Sequence, residues 1–270
     1  MRYGLILIFM RKYIYLILLL LFCNFGCTDS KICDNVTILP NSVAMSRSSD
    51  TSQRLFKFPI KPGSAQWMSF ETHQQKIDAC RIPDNLLPLL STEELVEICM
   101  EYPLLIDAYA YNNIVEGMQQ VTSRFNGFQE LFKRKDNCIC LFDYLKSNDL
   151  RQENTFGLDE INLAKKTIYY ALAEVLLSFD RIIQNADDDQ KKHIALFSCD
   201  LIESQEQKPS VYGLSSIGAS AYLAGSVIAK KKSVTRAGNV LSDFLIRKMI
   251  LNNEELQELK DVYKNSINNW

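Results

Sequence analysis

An all-α fold, either a multi-helix bundle or a short stack of antiparallel helical hairpins, is predicted by three observations. From Ser64 onward, apolar residues recur at steps of three and four. Hydroxyl residues followed three positions later by Gln or Glu open two of these stretches, Thr72-His-Gln-Gln75 and Ser91-Thr-Glu-Glu94. In that spacing one side chain caps a backbone N–H and the other reaches back. No segment sustains the Val/Ile/Thr alternation of a half-buried strand.

The elements follow in order. The Ser91 box opens a helix with Leu95, Ile98, Cys99 and Tyr102 on one face, closed by Pro103. Leu104, Ala108, Tyr111, Val115, Met118, Thr122 and Phe125 predict one unbroken helix, ended by Asn126-Gly127 as a left-handed cap. Phe128, Leu131 and Phe132 begin another, with a break at 135–137 before Ile139–Leu145. The longest stripe is Ile161, Ala164, Ile168, Leu172, Val175, Phe179 and Ile182, ended by Asn185–Asp189; Ile194, Phe197 and Leu201 mark a shorter helix after it. Leu241, Phe244, Leu245 and Leu251 mark a late one. Asn253 caps the last, which carries Leu256, Leu259, Tyr263 and Ile267. Val211–Ala229 holds nineteen uncharged residues before Lys230–Lys232. Its three Gly and four Ser dilute the hydrophobicity, so a buried, closely packed helix is expected rather than a membrane span.

The 270 residues are 47% hydrophobic and 23% charged with a net charge of -2, which excludes a disordered or low-complexity chain. Near neutrality also excludes the basic excess of a nucleic-acid binder. The charge is unevenly spread. Residues 1–26 hold Arg2, Arg11 and Lys12 and no acid, so the remaining 27 bases face 32 acids, about -5. The basic start precedes a ten-residue apolar run, Tyr13–Phe22. That length suits a signal-peptide core and falls short of the roughly 20 residues of a span. Translation from Met10 leaves an ordinary signal start; translation from Met1 adds an apolar prefix. Gly26-Cys27 after the run reads as a loose lipobox with Cys27 as the lipidated residue, which places the protein in a bacterial cell envelope, anchored by lipid, the outer membrane foremost. The division is then a signal peptide over 1–26, a Ser-rich tether over 27–63 and a single helical domain over 64–270. A competing reading packs Leu55–Ile60 on the domain as a short strand.

Trp67, Phe70, Ala79-Cys80, Ile82-Pro83, the Ser91–Leu95 cap, Tyr102-Pro103-Leu104, Ala110–Asn113, Phe125–Phe128, Glu130-Leu131, Arg134 and Asp136 form a series. It resembles a group of uncharacterised helical lipoproteins of gut Bacteroides-type bacteria. The resemblance covers residues 64–145 best. It implies an envelope location and a helical fold; the group has no assigned activity, so it implies no chemistry.

Motifs of chemistry are missing. Two histidines, His73 and His193, cannot furnish a two-histidine di-metal bundle, and Asp189 with His193 reads as a surface pair. There is no nucleophile elbow and no phosphate or dinucleotide loop. No cofactor or metal is expected. Beyond Cys23 and Cys27, six cysteines remain at 33, 80, 99, 138, 140 and 199. Cys99 reads as a buried free thiol, and Cys80 and Cys199 as the best disulfide candidates. Tyr109, Asn112, Asn113 and Glu116 cluster on one predicted helix and make a candidate ligand groove. Their bland alternative is buried hydrogen bonding between helices. The functional expectation is a non-enzymatic helical module that binds a protein or peptide. A carbohydrate-binding accessory protein is the alternative, and a hydrolase using a Glu/Asp pair a more distant one.

Overall fold

A computed structural model describes residues 54–151, 160–231 and 239–270. The expected signal peptide over 1–26, Cys27, Cys33 and residues 27–53 of the expected tether lie outside the described residues. The chain falls into two compact units. Among the described residues one contains Ile60–Glu71, and the other contains Arg54–Pro59 with Thr72–Trp270. Twelve α-helices and two 3-10 helices occur among the described residues, with no strand: the fold is all-α.

In the first unit Pro62-Gly63 forms a turn. Gly63 takes φ 84°, and the Ser64 N–H donates to the Lys61 carbonyl at 3.1 Å. Ser64 then caps the short α1 (Ala65–Met68), accepting from the Trp67 N–H.

The second unit opens with an irregular segment rather than a strand. Arg54 pairs with Glu97 and Glu101 at 2.6 Å each, Phe56 is buried, and Phe58 leans on Tyr102 and Phe125. Composition alone placed these residues in the tether; aromatic contact joins them to the helices. Both predicted capping boxes are present. The Thr72–Gln75 box starts α2 (His73–Ala79), and the Ser91–Glu94 box starts α3 (Thr92–Met100). Leu95, Ile98, Cys99 and Tyr102 are all buried.

The predicted long helix from Leu104 to Phe125 is instead two elements, a 3-10 helix (Leu105–Ala110) and α4 (Ile114–Arg124), packed together. Asn113 takes an extended conformation and accepts from the Glu116 N–H at 2.9 Å, so it caps a new helix rather than continuing an old one. The apolar spacing survives the break because both pieces bury the same set: Leu104, Ala108, Val115, Met118, Thr122 and Phe125. Asn126-Gly127 is not a left-handed cap, since neither residue has positive φ. They begin α5 (Asn126–Leu131), and the Asn126 amide pairs with both the N–H (3.1 Å) and the carbonyl (2.7 Å) of Ile82. Behind it Tyr102 stacks on Phe125 at 4.3 Å, with Phe128 edge-on to both rings.

The break at 135–137 precedes α6 (Asn137–Ser147), which packs on α3. The long stripe gives α7 (Glu160–Leu177), which stops before Phe179. That residue is extended and leads into a single turn, α8 (Asp180–Ile183). The helix expected to be shorter is longer. A third capping box, Asp187 with Gln190, opens α9 (Asp188–Gln207) of 20 residues, within the stretch read as a terminator.

Next come α10 (Pro209–Ala229), α11 (Asn239–Arg247) and α12 (Asn253–Asn268). α10 packs chiefly on α9 and α7. Among the described residues no helix is long and apolar enough to cross a membrane. The small residues of α10 serve close packing: a Cβ at Gly225 would lie 3.0 Å from both Leu241 Cδ1 and the Tyr263 hydroxyl. Gly213, at φ 66°, kinks the start of α10 in a conformation that other residues avoid. Asn252, one residue before the expected cap, caps α12, whose buried side chains are the four predicted.

Candidate functional site

A cleft of about 530 Å³ is formed by α4, α5, the turn into α8, α10 and α11. That volume lies within the range of small-ligand sites. Half its character is apolar, from Phe132, Phe179, Tyr222 and Leu245, and half polar, from Gln119, Thr122, Ser123, Gln129 and Ser178. At one side Asp180 pairs with Lys230 at 2.8 Å. Beside it the Arg181 guanidinium lies 5.3 Å from the centre of the Phe132 ring. None of these residues was read from the sequence as a site residue, although Thr122, Phe132, Phe179 and Leu245 were placed on apolar helix faces. They come from positions 119–132, 178–181, 222–230 and 245, and no local spacing connects them.

A second polar assembly lies inside the helices. Glu174 on α7 is fully buried, and its Oε1 is 2.5 Å from Ser220 Oγ on α10. That oxygen is also 3.1 Å from Gln205 Oε1 on α9. One hydroxyl proton serves one acceptor at a time, so Ser220 cannot satisfy a carboxylate and the amide oxygen together. A protonated Glu174 resolves the conflict: the acid donates to Ser220, and Ser220 donates to Gln205. Burial pushes the Glu174 carboxyl up to about 8, against Ser220 and Arg151, which pull it down; Asp149 adds to the rise. The second oxygen, Oε2, and the buried Tyr109 and Tyr170 hydroxyls have no hydrogen-bond partner among the described residues. Close by, Arg151 holds the buried Asp149 through Nε at 3.0 Å and Nη2 at 2.6 Å.

The predicted groove residues separate. Tyr109 turns its hydroxyl inward, where the charge of Glu174 adds to the effect of burial in raising its pKa. Asn113 is spent on the α4 cap, Asn112 is exposed, and Glu116 lies 3.8 Å from Lys248. Neither of the two clefts is lined by any of the four. The smaller cleft brings His73 Nε2 within 3.4 Å of Asp107 Oδ2, beside Tyr102 and Arg124. Burial raises the Asp107 carboxyl, opposed by His73, Arg124 and Lys76. Among the described residues neither histidine is hydrogen-bonded to a serine, threonine or cysteine, and no group of three metal-ligating side chains occurs. Asp189 and His193 are both exposed.

The disulfide expectation is corrected. Cys80, Cys99, Cys138, Cys140 and Cys199 are free thiols, and Cys80, taken for exposed, is 1% accessible. Helix packing removes it from solvent. Burial pushes the Cys80, Cys138, Cys140 and Cys199 thiols up to about 12, which leaves them protonated and unreactive.

Fold and site together define the class: an all-α protein with one sizeable mixed cleft and a buried acid. No protein-family model, curated protein or solved structure matches the chain.

Proposed function

We propose that this protein is a lipid-anchored component of a bacterial cell envelope whose helical unit binds a protein or peptide segment in the cleft between α4, α8 and α10, without chemistry of its own. The cleft is the observation that carries the reading: its volume suits a few residues, and it is lined by both apolar and hydrogen-bonding groups. A glycan fits it less well. Sugar rings stack on open aromatic faces, and the Phe132 ring already carries Arg181, with Phe179 tilted against it at 6.2 Å.

The binding reading is tested by panning a displayed library of random seven-residue peptides against the full chain in detergent micelles. Ser123→Trp and Ala229→Trp place an indole in the cleft from exposed lining positions and should abolish capture of the enriched peptides. Enriched peptides indifferent to both variants would remove the reading.

The anchoring half rests on the basic apolar leader followed by Gly26-Cys27. Two or more acyl chains hold a protein firmly on a bilayer. Cys27→Ser should therefore move the protein from the membrane to the soluble fraction and end its labelling with radioactive palmitate. Undiminished labelling would show that Cys27 is not the modified residue.

A further inference from the structure

The cleft's hydrogen-bonding groups are not neutral in sense. Thr122 Oγ1 donates to the Met118 carbonyl at 2.7 Å, Ser123 Oγ to Gln120 at 2.7 Å and Ser178 Oγ to Val175 at 2.6 Å. The Gln129 amide nitrogen donates to the Thr122 carbonyl at 2.8 Å. Each hydroxyl proton is committed to a helix carbonyl, and Thr122 and Ser178 are themselves buried, so what the wall offers a ligand is the lone pairs of exposed Ser123; Gln129 likewise keeps its amide oxygen. These oxygens favour a ligand that donates hydrogen bonds, while the Gln119 amide and the second Gln129 N–H can answer its carbonyls.

The charge at the rim has the opposite preference. Asp180 is neutralised by Lys230. Arg181, set over Phe132, has no carboxylate within ion-pair distance among the described residues. Resting on an aromatic face restricts its planar fork before any ligand arrives. A cationic donor such as a lysine side chain is disfavoured by Arg181. Uncharged N–H donors beside a carboxylate satisfy both features. A helix satisfies its own N–H groups, whereas an extended chain leaves them available.

We propose that the occupant of the cleft is an extended, acidic peptide segment, its backbone N–H groups on the wall oxygens of Ser123 and Gln129 and a carboxylate on Arg181. The inference rests on the peptide-binding reading above and gives it a partner chemistry.

Peptides enriched on the full chain are synthesised with a fluorescent label in matched pairs, the second of each pair carrying Asn or Gln for every Asp or Glu. Affinity is read by anisotropy. The enriched sequences should contain Asp or Glu, and their amide versions should bind about tenfold more weakly, the scale of one lost charge-assisted contact. Arg181→Gln should bring the two members of each pair together, whereas Arg81→Gln, at an exposed arginine paired with Asp84, should leave them apart. Raising NaCl from 50 to 300 mM should weaken only the acidic member. Enriched peptides without acidic residues, still blocked by Ser123→Trp, would overturn the acidic partner and keep the cleft as a peptide site. Peptides unaffected by Ser123→Trp and Ala229→Trp, or no enrichment at all, would overturn the cleft reading itself.

Discussion

Raising the pH from 5 to 8.5 should lower the urea midpoint of unfolding substantially, and Glu174→Gln should remove most of that fall. In the folded protein the Glu174 carboxyl is held up to about 8, against about 4.5 when the chain is unfolded and the group meets water. Between those values the folded state binds the proton that the unfolded state has released. Stability is therefore full below about pH 4.5, declines through the interval and levels off above 8. Each pH unit costs about 1.4 kcal/mol, so the whole effect is a few kcal/mol, a large share of a typical domain's stability. Gln keeps the shape of the side chain and donates an N–H where the acid donated its O–H, while nothing titrates. The thiols stay neutral in the fold but return to about 9 on unfolding, so they add a smaller fall of the same sign only near the top of this range, which the Gln variant should retain. Asp107, raised by its own burial, contributes a slope of the same sign, which the Gln variant should retain. Parallel midpoint-against-pH curves for the two proteins would show that Glu174 is ionised in the fold. The denaturant slope should not change, since both proteins expose the same surface on unfolding.

Gly117→Ala should be the most damaging single-methyl change in the helical unit, while Gly218→Ala should be harmless or slightly stabilising. A Cβ at Gly117 would overlap the Ala108 carbonyl oxygen and stand 2.6 Å from its carbon and Cα. The obstacle is backbone of the 3-10 helix, which cannot rotate aside as a side chain does, so α4 must separate from it. Overpacking of this kind costs about 3 kcal/mol or more, a fall in Tm of about 6–12 °C for a unit of this size. At Gly218 a Cβ meets nothing within 4 Å, and Ala gains helix propensity of up to about 1 kcal/mol. Thermal unfolding followed by circular dichroism separates the two. Equal melting temperatures for Gly117→Ala and wild type would mean that the close approach of α4 to Ala108 is absent in solution.

What was legible in the sequence was whatever a single helix records about itself. Leu256, Leu259, Tyr263 and Ile267 are the buried face of α12 as their spacing implies, and the Thr72 and Ser91 boxes hold their helices' first turns. Periodicity is blind to continuity, however. Leu104 to Phe125 keeps its stripe across a reversal at 111–113, because both pieces happen to face one core. The signal that distinguishes them was present in Asn113 with Gly117, a cap and a glycine that lets two backbones touch. Likewise Asp187 to Gln190 has the spacing of a capping box, inside a stretch read as an ending.

The site was less legible, for a different reason. Tyr109 drew notice as an aromatic beside amides. Its hydroxyl instead enters an interior that holds Glu174, Gln205 and Ser220, contributed by three other elements. Burial is a property of the assembly, and burial without an ion-pair partner sets Glu174 apart from Asp149, which is also buried but held by Arg151. The same holds for Cys80, read as a disulfide candidate from sequence and buried by the packed helices.

The sequence by itself determined the all-α class, most helix faces and the caps, since propensity, periodicity and capping act within a few residues. Only the tertiary structure decided where helices break, which polar groups lose water, and that Phe132, Arg181, Ser123 and Tyr222 share a cleft. Those outcomes depend on contacts between residues tens of positions apart, whose free energy appears only when the elements pack.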